Sequence, residues 1–175
     1  HIHHLGWGEL CDMGGVYTLG ASEGTQVAYN HIHHVYSFDY GGWGLYTDEG
    51  SYGITMENNL VYSCKNSGFH QHYGMENIIR NNIFAFNIIS QLQATRIEEH
   101  RSLSFTNNII YYDKGTLLHS NWNKFNLFSD YNCYWDTRSA NIRFADKSFK
   151  EWQASGNDVH SVIADPMFID PSGFD

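Results

Sequence analysis

Asn58-Asn59-Leu60-Val61-Tyr62 decides how this chain is read, because the same phrase returns along it. Its counterparts are Tyr29-Asn30-His31-Ile32, Asn81-Asn82-Ile83-Phe84, Asn107-Asn108-Ile109-Ile110-Tyr111 and Tyr131-Asn132-Cys133-Tyr134. The last Asn of each falls at 30, 59, 82, 108 and 132, giving spacings of 29, 23, 26 and 24 residues. Alternating runs such as Gly53-Ile54-Thr55-Met56-Glu57 and Ser102-Leu103-Ser104-Phe105-Thr106 lead into these phrases. They read as strands of about five residues, and no window shows a helical period with caps. Strands recurring at this interval without helices between them predict an all-β fold, a right-handed parallel β-helix solenoid with two or three strands per coil. A leucine-rich repeat would need a Leu-x-x-Leu-x-Leu grammar, which is absent.

The repeated Asn has a physical task in such a coil. It is expected to take a left-handed backbone conformation at each corner and to stack on its equivalents about 4.8 Å apart, amide on amide. Ile32, Leu60, Ile83 and Ile109, which follow it, are expected to fill the interior. Residues 1–175 then form a single β-helix domain of about six or seven coils, with 145–175 as an irregular closing segment. The opening His1-Ile2-His3-His4 is echoed by His31-Ile32-His33-His34, so the chain reads as a piece of a longer β-helix and the histidines as a feature of the repeat corner.

Composition agrees and narrows the function. Sixteen Asn but only two Pro suit stacked corners and uninterrupted parallel sheets. Ten Lys plus Arg against nineteen Asp plus Glu leave a net charge of −9. That acidity excludes nucleic acid, which needs a basic stripe, and disfavours an anionic membrane surface. No apolar run approaches the roughly 20 residues of a membrane span. Cys11, Cys64 and Cys133 show no metal or disulfide spacing and read as free thiols.

The Asn positions also serve as a ruler. Thirteen residues before Asn30, Asn59 and Asn82 lie Tyr17, Tyr46 and Phe69, an expected aromatic column. The positions just after it gather Asp48, Glu49, His70, His72, Arg96, Glu98 and His119 in one phase of the coil. Equivalent side chains on neighbouring coils stand roughly 5 Å apart, so one face of the solenoid should carry a cluster of carboxylates and imidazoles with one guanidinium. Trp43, Tyr46, Phe69 and Tyr73 are interleaved with it. Aromatic faces beside polar groups suit sugar rings.

Glycoside hydrolysis requires two carboxyl groups flanking the bond. Asp12, Asp48, Glu49 and Glu98 are the candidates. In an extended strand, adjacent Asp48 and Glu49 cannot both face the groove, so one should be catalytic and the other structural. A lyase would want a Lys, Arg or His base with cationic help, and Lys is missing from this phase. His70 and His72 could bind a metal together with Glu49 or Glu98. Hydrogen-bonding or substrate-contacting histidines are the preferred reading, and no metal or cofactor is expected.

At these residues the chain resembles a known group. Asp12-Met13-Gly14-Gly15-Val16-Tyr17, then Gly44-Leu45-Tyr46-Thr47-Asp48-Glu49-Gly50, then an Asn-Asn corner resemble the secreted right-handed β-helix (pectin-lyase-like) proteins of bacterial polysaccharide degradation. The nearest named group is glycoside hydrolase family 141, with α-L-fucosidase and xylanase members. Its pattern is an Asp before a Gly-x-Ile-Tyr strand, followed one coil later by Tyr-Leu-Asp-Asp-Gly. His160-Ser161-Val162-Ile163-Ala164-Asp165-Pro166-Met167-Phe168 is similar to the segment that often closes these helices. The resemblance implies a secreted or periplasmic glycoside hydrolase acting on a plant-type polysaccharide or oligosaccharide. Asp12 and Asp48 would be catalytic, with Trp43, Tyr46, Glu49, His70, His72, Arg96 and Glu98 contacting the sugar. The alternative is a non-catalytic polysaccharide-binding or structural β-helix.

Overall fold

The computed structural model describes residues 1–173. It is a parallel β-solenoid whose coils stack into three long sheets. The first runs Ile2–Leu5, His31–Val35, Leu60–Tyr62, Ile83–Ala85, Ile109–Tyr112, Cys133–Asp136 and Val162–Ile163, each parallel to the next. The second runs Gly14–Thr18, Trp43–Thr47, Phe69–Gln71, Ser90–Ala94 and Thr116–Ser120. The third comprises Gln26–Ala28, Thr55–Glu57, Asn77–Arg80, Leu103–Thr106 and Leu127–Asp130.

The asparagine ladder is present and continuous. Nδ2 of Asn30, Asn59, Asn82 and Asn108 donates to Oδ1 of the next ladder Asn at 3.0, 2.9, 3.1 and 3.2 Å. The same Oδ1 atoms also accept the backbone N–H of the preceding ladder Asn. Each amide thus satisfies buried main-chain groups that a corner would otherwise strand.

Two expectations about the corner are corrected. The left-handed residue is the one before the ladder Asn: Tyr29, Asn58, Asn81, Asn107 and Tyr131 have φ between 53° and 59°. The ladder Asn must instead aim its amide along the helix axis, and the reversal falls to its neighbour. The interior is filled by the second residue after the Asn, the aligned column Ile32, Val61, Phe84, Ile110 and Tyr134. Leu60, Ile83 and Ile109 alternate outward, Leu60 and Ile83 into a small surface cluster around Tyr62, Ala85 and Tyr111. Leu45, Phe69 and Leu92 complete the core from the second sheet, and Met56, Ile79 and Phe105 from the third.

In the segment from 145, a short helix, Phe149–Ala154, departs from the strand pattern. Its start is a capping box: the Ser148 hydroxyl accepts the Glu151 N–H while the Glu151 carboxylate accepts the Ser148 N–H. The helix brings Trp152 against Asp158, a buried carboxylate that also accepts from Ser129, Asn132, Tyr134 and Ser161. Asp158 therefore ends the Asn ladder at this end of the solenoid. Positions 174 and 175 of the segment lie outside the described residues. Cys11, Cys64 and Cys133 are free thiols.

Candidate functional site

The second sheet carries the site. Its outward row is Tyr17, Tyr46, His70, Gln93 and His119, one residue per coil. The ruler holds for the first two coils and then slips: Phe69 pairs with Leu45 in the core, and His70 takes the place beside Tyr46. The cause is unequal loop length. His70 precedes its ladder Asn by 12 residues (82 − 70) and Gln93 by 15 (108 − 93), so counting back from a corner drifts across the sheet.

A groove opens over this row, lined by Asp12, Tyr40, Trp43, Tyr46, Asp48, Glu49, Asn66, His70, His72, Gln93 and Thr95. Asp12 sits in a left-handed conformation (φ 51°) ahead of the first strand of the sheet, with its N–H donating to the Tyr40 carbonyl. That contact pins the loop of one coil to the next. Asp48 follows the second strand, where the chain turns at once: Ser51 N–H donates to the Asp48 carbonyl and Gly50 has φ 70°. Because this is a turn and not an extended strand, Asp48 and Glu49 both line the groove, which corrects the expectation that only one could.

The two aspartates meet at tyrosines. The Tyr46 hydroxyl donates to Asp12 Oδ1 at 3.1 Å and is also within reach of Asp48. Two carboxyls that reach one phenolic oxygen stand no more than about twice a hydrogen-bond length apart, close enough to act on one bond. The Tyr17 hydroxyl donates to Asp48 Oδ2 at 2.5 Å. That hydrogen bond, with burial and the neighbouring carboxylates, pushes the Tyr17 phenol up to about 12. Burial first, then Asp12 and Asp48, push Tyr46 far above its ordinary value. Both phenols therefore remain donors throughout the neutral range.

The floor is a packed aromatic set. Tyr46 stacks on His70 at 4.6 Å, and Trp43 lies 4.2 Å from His70 and 4.5 Å from Tyr46. Trp43 Nε1 donates to Gln93 Oε1 at 2.7 Å, tying residues on different coils. Trp43, Tyr46 and His70 are each at most 3% exposed, so they shape the floor, and the open ring faces belong to Tyr17 and Tyr40 at the rim. His70 Nε2 and His72 Nδ1 both contact Thr95 Oγ1, at 3.0 and 2.9 Å. Burial pushes His70 down to about 3, so its ring is neutral, and its Nδ1 is buried without a hydrogen-bond partner. His72 Nε2 lies 4.0 Å from Glu49.

The structure thus brings together Asp12, Asp48, Trp43, Tyr46, Glu49, His70 and His72. Arg96 and Glu98 do not line the groove. The Arg96 guanidinium lies 4.1 Å over the Tyr73 ring and pairs with Glu98 at 3.9 Å, and Glu98 in turn holds His100 at 3.0 Å. They fall after Ala94, where the longer loop carries them off the sheet. His119 is exposed one coil further on. Tyr40, Asn66, Gln93 and Thr95 escaped the sequence reading. Gln93 and Thr95 alternate in Gln91-Leu92-Gln93-Ala94-Thr95, a legible strand signal once the register is known, whereas Tyr40 and Asn66 come from loops with no such mark.

On the first sheet, His3, His4, His31, His33 and His34 are strand residues, and His1 immediately precedes the first strand. Only His4 and His34 take corner conformations (φ 54° and 51°), which corrects the reading of the whole cluster as a corner. Burial pushes His31 and His34 below the usual imidazole value and His33 down to about 4.

No protein-family model matches the chain, and neither a curated protein nor a solved structure matches it significantly.

Proposed function

We propose that the groove binds a polysaccharide or oligosaccharide of plant type and hydrolyses it as a glycoside hydrolase, with Asp12 and Asp48 as the carboxyl pair. The observation that carries this reading is that two carboxyls 36 residues apart (48 − 12) line one groove, Asp12 accepting from the Tyr46 hydroxyl and Asp48 from the Tyr17 hydroxyl. One carboxyl protonates the leaving glycosidic oxygen and the other acts as base or nucleophile on the opposite side of the bond. Asp48 is 7% exposed and clamped by Tyr17. Such a fixed carboxylate suits the base or nucleophile, and the exposed Asp12 suits the acid that meets the leaving group. His72, Glu49, Asn66 and Thr95 supply donors and acceptors for sugar hydroxyls, the buried His70 ring supports them from the floor, and Tyr17 and Tyr40 offer ring faces at the rim. The resemblance to glycoside hydrolase family 141, and the export it implies, belong to this proposal.

No Lys or Arg lines the groove, which weighs against a lyase. The test is Asp12→Asn and Asp48→Asn on a panel of plant polysaccharides. Loss of an acid or base lowers turnover by about 10²–10⁴-fold, with binding retained. Wild-type protein that binds a glycan and never releases reducing ends would favour the non-catalytic reading. Turnover unchanged in both variants would remove the carboxyl pair from the mechanism.

A further inference from the structure

A second cluster of reactive side chains lies on a different sheet, away from the groove. Ile2 pairs with Ile32 and His3 with His33 in adjacent parallel strands. Ile32 is fully buried and Ile2 packs on the core. Strand alternation therefore throws His3, His31 and His33 outward on the same face, and His1, just before the first strand, lies against His31 and His33 there. Their rings form two columns: His1 stacks on His31 at 4.4 Å and His3 on His33 at 5.0 Å, and His33 continues onto Tyr62 at 4.8 Å. We propose that this face is a binding site for a divalent transition-metal ion, with the imidazoles of His1, His31 and His33 as ligands.

Geometry supports this in three ways. One ring nitrogen from each of the three residues lies within 4.8 Å of the others, the single such group among the described residues. Around a tetrahedral ion with metal–nitrogen bonds of about 2.0–2.1 Å, ligand nitrogens stand about 3.3 Å apart. His1 Nε2 and His33 Nε2 are 2.7 Å apart, a contact that needs a proton between them. An ion entering there replaces that proton, and the exposed His1 has room to give way by the few tenths of an ångström required.

The outer contacts match as well. A ligating imidazole is normally oriented by a hydrogen bond at its other nitrogen. His33 Nδ1 lies 2.6 Å from His34 Nδ1, which leaves Nε2 to face the ion. His31 Nε2 contacts the Tyr62 hydroxyl at 3.0 Å, so its ring is also held. Donor chemistry selects the ion class. Three neutral nitrogens and no carboxylate suit zinc, copper, nickel or cobalt, and not calcium or magnesium, which require oxygen ligands. Three imidazoles leave the fourth position of a tetrahedral ion for water or an incoming ligand.

The test uses the untagged chain, titrated with zinc chloride by calorimetry and with cobalt(II) by visible absorption and histidine NMR. One equivalent is expected to bind, with the His31 and His33 ring resonances shifted or broadened by cobalt. His31→Ala and His33→Gln should each weaken zinc binding at least tenfold, in variants whose melting in the metal-free state shows them folded. The wild-type cobalt spectrum needs no variant and decides the matter if a variant fails to fold. Four results overturn the proposal: no binding, cobalt effects confined to His70 and His72, undiminished zinc binding in folded variants, or binding lost when residues are added before His1. The last would assign the ion to the terminal amine. None of these outcomes bears on hydrolysis, which is read separately through Asp12 and Asp48.

Discussion

Replacing Asn82 with Ala should be among the most damaging single changes in this protein. Asn82 is 1% exposed at the centre of the ladder. Its Oδ1 accepts the Asn59 N–H at 3.0 Å and Asn59 Nδ2 at 2.9 Å. Its Nδ2 donates to the Met56 carbonyl at 3.0 Å and to Asn108 Oδ1 at 3.1 Å. Four hydrogen bonds at about 1 kcal/mol net each, with the Asn59 N–H left facing a void, give a loss on the order of 4–6 kcal/mol. That is a large part of the roughly 5–15 kcal/mol that holds a domain folded. Urea unfolding followed by circular dichroism measures it, and Asn82→Asp separates the causes. The aspartate keeps the volume and the accepting oxygen but turns a second oxygen toward the Met56 carbonyl and Asn108 Oδ1. If the amide donors matter, the Asn82→Asp variant loses nearly as much stability as the alanine variant. A cost below about 1 kcal/mol for Asn82→Ala would refute the view that the ladder holds the coils together.

The remaining predictions concern packing and pH. A Cβ at Gly44 would lie 2.1 Å from Val61 Cγ1 and 2.7 Å from the Gly68 carbonyl oxygen. Gly44→Ala should therefore cost about 1–3 kcal/mol or more, while Gly8→Ala, with nothing within 4 Å, should stay within about 0.5 kcal/mol. Equal urea midpoints for the two would contradict this packing. Burial lowers the folded values of His31, His33, His34 and His70, to about 4 for His33 and about 3 for His70. Below the unfolded value of about 6.5 the unfolded chain takes up these protons first, so stability is full above it and declines as pH falls toward the folded values. Easing of the net −9 charge runs the other way. The clean readout is thus His70→Gln, which should flatten the slope of stability against pH between 6.5 and 4.5 by up to about 1.4 kcal/mol per pH unit. A slope identical to wild type would show that His70 is already protonated in the fold.

The solenoid is legible in the linear chain. A ladder of side-chain amides works only if the same residue stands at the same corner of every coil, so the fold has to write itself into the chain as a periodic Asn. The pairing of Tyr17 with Tyr46 was legible for a related reason, because those two coils have matched lengths near the site. Tertiary structure alone decided the rest. Loop lengths between the second sheet and the next corner differ from coil to coil, and one residue of slip exchanges core for groove. That slip sent Phe69 inward, put His70 beside Tyr46, and left Arg96 and Glu98 outside. Asp48 and Glu49 share the groove because a local turn breaks strand alternation. The histidines of two repeats converge because parallel stacking aligns residues 30 positions apart (33 − 3), which turns an echo in the sequence into ring contacts.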